Sequence, residues 1–238
     1  MGVNRMKKLL VVILFLVLGT NLSLAQDYNK GYKAYQTGDY ATALKEWKPM
    51  AEQGNADAQY NLGVMLERGD GVLKDVTEAV KWYRLSAEKG YASAQYNLGV
   101  MLERGDGVLK DVTEAVKWYR LSAEKGYASA QYNLGVMYKR GDGVLKDFSE
   151  ALKWYRLSAE QGVASAQLNL GVMYERGDGV LKDFSEALKW YRLSAKQGNA
   201  SAQRNLGVMY EFGNGVLQDN LTAHMWYNIA SANGYKKA

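Results

Sequence analysis

The feature that most constrains this chain is its period. Gln59, Gln95, Gln131, Gln167 and Gln203 recur every 36 residues, and so do Trp82, Trp118, Trp154, Trp190 and Trp226. Residues 58–90 and 94–126 are identical at every position. Such a chain repeats one supersecondary unit that cannot bury its apolar surface alone, so the copies must stack on one another. A shorter unit precedes them over residues 28–54, with Trp47 lying 35 residues before Trp82. The expectation is six helical pairs.

Each period reads as helix, loop, helix. Ala58, Leu62, Met65 and Leu66 fall on one stripe and predict a first helix over 56–68. Val76, Ala79, Val80, Tyr83 and Ala87 predict a second over 76–89. Asp75 is its expected N-cap, Glu78 completes a capping box, and Gly90 is the left-handed stop. Gly63 and Ala79 let the two helices approach closely, while Trp82 and Tyr83 are expected to fill the space between pairs. The connecting stretch RGDGVLKD occurs at 68–75, 104–111, 140–147 and 176–183. It reads as a corner. Gly69 supplies a positive φ, Asp70 and Gly71 complete the reversal, and Val72 and Leu73 tuck back onto the core. The fifth version, FGNGVLQD at 212–219, keeps both glycines, Val216, Leu217 and Asp219 but loses the Arg-Gly-Asp letters. The tripeptide is therefore read as turn geometry and not as an adhesion signal.

Composition closes off several functions. Arg5, Lys7 and Lys8, the apolar run from Leu9 to Leu18, and Ser23-Leu24-Ala25 predict a signal peptide over 1–25, cut before Gln26. The mature chain is then expected to be periplasmic or secreted, with no membrane insertion after cleavage; an uncleaved anchor is the alternative. Removing three cations and no anions from a net charge of +5 leaves +2, which gives no electrostatic case for nucleic acid. There is no cysteine, so no disulfide holds the fold and no lipid anchor is expected. With His224 the one histidine, nucleophile–base pairs and zinc sites have almost nothing to use. No catalytic residue, metal ligand or cofactor is expected, and the chain is not read as an enzyme. Ser86 to Lys89 and Ser122 to Lys125 match an S-x-x-K spacing, but the later copies read SAEQ and SAKQ, so the matches are chance.

The strings A-x-A-Q-Y-N-L-G-V-M-Y, G-D-G-V and D-x-x-x-A-x-x-W-Y-x-x-x-A-x-x-G resemble the Sel-one-like repeat, a relative of the tetratricopeptide repeat, over about residues 55–234. Residues 26–54 look more like a plain tetratricopeptide unit, because they lack the G-x-G-V loop, and 235–238 form a tail. The resemblance implies an all-α fold, a right-handed α-solenoid of stacked helix–turn–helix repeats that binds a protein or peptide. In the tetratricopeptide fold the concave wall is lined by the first helix of each pair. Aligning Gly63 with that family's glycine places Asp57, Tyr60, Val64 and Glu67 on the wall. Their equivalents are Ser93, Tyr96, Val100 and Glu103; Ser129, Tyr132, Val136 and Lys139; Ser165, Leu168, Val172 and Glu175; and Ser201, Arg204, Val208 and Glu211. Position 60 thus runs Tyr, Tyr, Tyr, Leu, Arg. A tyrosine ladder either grips an extended peptide or packs between neighbouring first helices, and the sequence leaves both open.

The function expected is an exported interaction scaffold. Two alternatives stand beside it. One is a cell-wall or β-lactam-directed hydrolase of the kind proposed for cysteine-rich relatives, against which the missing cysteines count. The other is a host-directed adhesin. At the C-terminal end the helix near Thr222 to Ala232 is expected to expose a face that earlier copies bury. His224 replaces an aliphatic, Met225 stands where Lys189 stood and Ile229 where Leu193 stood. These three are read as the contact of a weak homodimer or of a docked partner.

Overall fold

The computed structural model describes residues 28–235, so the expected signal segment lies outside it. The described residues form twelve helices and no strand: α1 (28–36), α2 (Tyr40–Glu52), α3 (Ala56–Arg68), α4 (Val76–Glu88), α5 (Ala92–Arg104), α6 (Val112–Glu124), α7 (Ala128–Arg140), α8 (Phe148–Glu160), α9 (Ala164–Arg176), α10 (Phe184–Lys196), α11 (Ala200–Phe212) and α12 (Asn220–Ala232). Two compact units are present, one ending at Lys110 and one beginning at Asp111. Within each, consecutive helices pack on one another, giving the all-α stack of helix–turn–helix repeats expected from the sequence. Among the described residues no helix is long and apolar enough to cross a membrane.

Local rules set the helix ends. α3 starts after Asn55, whose side chain accepts from the Ala58 N–H at 2.8 Å, and ends at Gly69 with φ +83°. α4 starts after Asp75, which accepts from the Glu78 N–H at 2.9 Å. It stops one residue earlier than expected, because Lys89 is its cap and Gly90 (φ +88°) turns the chain away. The capping box is only half made. The Asp75 N–H already donates to the Leu66 carbonyl at 2.9 Å, so it does not need Glu78. That carboxylate pairs with Lys81 instead, at 2.7 Å. Its equivalents Glu114, Glu150 and Glu186 accept from the indole N–H of Trp118, Trp154 and Trp190, one turn on.

The recurring residues mark the joints. Each Gln side chain is buried and donates to a carbonyl near the end of the preceding helix: Gln59 to Ala51 at 3.0 Å and Gln131 to Ala123 at 3.1 Å. Ser86 is wholly buried and its hydroxyl donates to the Ala56 carbonyl at 2.7 Å, closing the α3–α4 pair; Ser158 and Ser194 do the same. The serine of the S-x-x-K match is thus a structural tie. Tyr83 fills space inside its own pair, and not between pairs as expected. A Cβ on Gly63 would lie 2.8 Å from its ring, so only glycine admits the tyrosine there. Trp82 sits half-buried beside the core of the first unit.

The corner also differs from expectation at one residue. Val72 tucks back against the core, but Leu73 is 91% exposed, and Leu109, Leu145, Leu181 and Leu217 are as open. The bond from the Asp75 N–H to Leu66 pins the backbone after the turn. Adjacent side chains of an extended segment point to opposite sides, so only one of the Val-Leu pair can face the helices.

Candidate partner-binding face

The first helices of the pairs carry the candidate residues. In the first unit, Tyr60 on α3 is half-buried, with its ring centroid 5.9 Å from Tyr83 of α4 and 5.0 Å from Tyr91 in the loop that follows. Tyr96 on α5 is half-buried as well, and in the second unit Tyr132 lies 5.9 Å from Tyr155. The Tyr60 and Tyr132 rings thus each rest on a tyrosine of their own pair, and all three ladder tyrosines keep part of their surface exposed. A shallow cleft in the first unit is lined by Tyr60, Val64, Glu67, Arg68, Tyr96, Asn97 and Val100. In the second unit a cleft is lined by Val172, Glu175, Arg176, Arg204, Asn205 and Val208, together with Lys182, Phe184 and Asn214. In the second unit Leu168 is half-buried and Arg204 exposed, so the first helices there carry tyrosine, leucine and then arginine at this position.

The glutamates of this face are engaged from beneath. Glu67 accepts from the Tyr83 hydroxyl at 2.5 Å, and Glu175 from Tyr191 at 2.5 Å; Glu211 holds Tyr227 in the same way. Burial and then the neighbouring carboxylate push the Tyr83 and Tyr191 phenols well above their usual range, and the more open Tyr227 up to about 12. Asp57 and Glu103 are half-buried. Lys139 takes the place of the glutamate on α7. It is half-buried, and burial, then Arg176 and Arg140, lower its pKa.

The comparisons follow the same period. The Sel1 repeat model matches residues 56–91, 92–127, 128–163, 164–199 and 200–235. This chain belongs to the Sel1 repeat family. The fold is similar to that of a Sel1 repeat protein from Oxalobacter formigenes, with 36% identity and a TM-score of 0.83 over 88% of this chain and 86% of that one. It is also similar to a protective antigen present in uropathogenic Escherichia coli strains that displays the SLR fold, with 39% identity and a TM-score of 0.83 over 89% of this chain and 46% of that one. A stretch of 59 residues is 39% identical to the Mus musculus DAP3-binding cell death enhancer 1, and spans 12% of that protein's length. Sel1 repeat proteins mediate protein–protein interactions, and their solenoid is typically a non-catalytic scaffold.

One set of residues on the Sel1 first helices escaped the sequence reading. Asn61, Asn97, Asn133, Asn169 and Asn205 are half-buried and identical in all five Sel1 copies. Asn97 and Asn205 act on the buried Tyr83 and Tyr191 phenols, partly offsetting the rise that burial causes, and Asn61 donates to the Tyr28 hydroxyl at 3.2 Å. The signal was available, since a polar residue kept in every copy beside an apolar stripe has a partner to satisfy. Of the C-terminal residues, His224 is exposed, Met225 is 48% exposed and Ile229 is half-buried; α12 buries only Ala223 and Ala230. They lie apart from the first-helix face, on the second helix of the last pair. Among the described residues no group of three or more histidine or acidic side chains is placed to hold a metal ion.

Proposed function

We propose that this Sel1 repeat protein is an exported adaptor that holds an extended protein segment along the first-helix face of its repeats. The observation that carries the reading is the tyrosine ladder. The Tyr60 and Tyr132 rings are braced by a neighbouring tyrosine and remain partly exposed, so a partner gains aromatic contact at little cost in ordering those side chains. The Gly63–Tyr83 and Gln59–Ala51 joints hold the backbone under it. Export is supported by the order of charge, apolar run and small residues over 1–25, and by the likeness to an Escherichia coli protein described as a protective antigen.

The test exploits the fourth Sel1 copy, where Leu168 replaces the tyrosine without disturbing the fold. Tyr60→Leu, Tyr96→Leu and Tyr132→Leu together should keep the helical circular dichroism of the parent. They should weaken capture of the native partner, identified by pull-down from an envelope extract and mass spectrometry, at least tenfold. Unchanged capture would move the binding site off this face.

A further inference from the structure

The α7–α8 pair lacks the Glu–Tyr bond that three other pairs make. Glu67, Glu175 and Glu211 each accept from a tyrosine hydroxyl sixteen residues on. The α7–α8 pair is built on the same plan. Tyr155 is 1% exposed, and a Cβ on Gly135 would meet its ring at 2.7 Å, as one on Gly171 would meet Tyr191 at 2.6 Å. Sixteen residues before Tyr155, however, stands Lys139. An ammonium can donate but not accept, so the hydroxyl has lost the acceptor that its sister copies have, while Arg140 acts on both Tyr155 and Lys139. Among the described residues Lys139 makes no ion pair or hydrogen bond, and the Tyr155 hydroxyl makes no hydrogen bond. Arg140 and Arg176 add two further cations, against Asp178 as the one acid acting on Lys139.

The sister copies show what this arrangement accepts, a carboxylate oxygen 2.5 Å from the phenol. We infer that Lys139 and the Tyr155 hydroxyl, flanked by Arg140 and Arg176, form a carboxylate subsite that takes an acidic side chain or a free C-terminus of a bound peptide. The inference rests on the reading of the first-helix face as a peptide site and gives that peptide its chemistry. A charge-assisted bond from a half-buried ammonium, with guanidinium groups nearby, is stronger than one made in open solvent. A carboxylate at this point also relieves the mutual repulsion of the three cations.

The test is an NMR titration of the purified chain with three peptides. The first is a capped Gly-Ser peptide with one central Glu, the second its Gln counterpart, and the third a Gly-Ser peptide ending in a free carboxylate. The Lys139 Nζ and Tyr155 Cζ resonances should shift with a carboxylate peptide and not with the Gln peptide. The arm that shifts them tells side chain from chain end. Lys139→Glu restores the sister arrangement and so keeps the fold; it should weaken carboxylate binding at least tenfold. Equal shifts with the Gln peptide, no shift with either carboxylate, or unaltered binding by Lys139→Glu would overturn the subsite. A null titration with partner capture still lost in the tyrosine variant overturns the subsite alone. A positive titration with capture indifferent to the tyrosines upholds the subsite and overturns the face reading.

Discussion

The two glycines of each corner have different tasks. Gly141 ends α7 at φ +84°, and an added Cβ would come no closer than 3.2 Å to Lys146 Cβ, a side chain able to yield. Gly143, at φ +70°, is pressed against the start of α6, where a Cβ would stand 2.6 Å from the Val112 carbonyl oxygen and 2.8 Å from its carbon. Backbone cannot swing aside. Gly141→Ala should therefore cost about 1 kcal/mol through φ alone. Gly143→Ala should cost roughly 1–3 kcal/mol more by overpacking, with urea melts as the measurement. Lys139 gives the opposite sign. Lys139→Glu removes a half-buried cation held beside two arginines and supplies the acceptor that Tyr155 lacks. It should stabilise the chain by about 1 kcal/mol in the same assay.

At the scale of the helix, the caps are unevenly filled. Asn55 and Asn199 cap α3 and α11 through their side chains, whereas Tyr91, Tyr127 and Val163 stand at the same position without a capping bond. Tyr91 is retained by its contact with Tyr60, but Val163 has no such ring to hold. Val163→Asn should raise stability by about 1 kcal/mol, read as a higher thermal midpoint. The tyrosines between paired helices predict an alkaline limit. Folding raises the pKa of Tyr83, Tyr155, Tyr191 and Tyr227 above the ordinary tyrosine value of about 10. The neutral phenol is the form the fold favours. Its contribution is whole below pH ~10 and is lost as pH climbs through the folded values. The urea midpoint should fall steeply above pH ~10, with a late step in the tyrosinate absorbance that coincides with loss of helix.

For the whole molecule, repeats couple chiefly to their neighbours. The Gly143→Ala lesion sits in the second unit, so hydrogen exchange should quicken around α6 to α8 and leave α2 to α4 close to the parent rates. Uniform acceleration along the chain would mean that the stack unfolds as one cooperative block. Export has its own readout at this scale. N-terminal sequencing of the native protein should begin at Gln26, and a chain still starting with Met1 would remove the exported reading.

The sequence by itself determined the period, the helix pairs, the Asp caps and the glycine stops. Each depends on backbone preferences acting within three or four residues, and five copies display them side by side. What only the tertiary structure decided lies across longer distances. Val72 and not Leu73 faces the core, because a bond from Asp75 to Leu66 orients the corner. Glu78 and its equivalents answer a lysine or an indole, because the N–H they were expected to cap is already taken. Tyr83 belongs inside its pair, since only the space over Gly63 admits its ring. The candidate wall shows the same division. Its residues were named by counting from Gly63, but the engagement of Glu67 by Tyr83, and the loss of that partnership at Lys139, depends on which side chains meet sixteen residues apart. Hydrogen-bond partners over that separation are chosen by packing, and packing exists only once the helices have closed on each other.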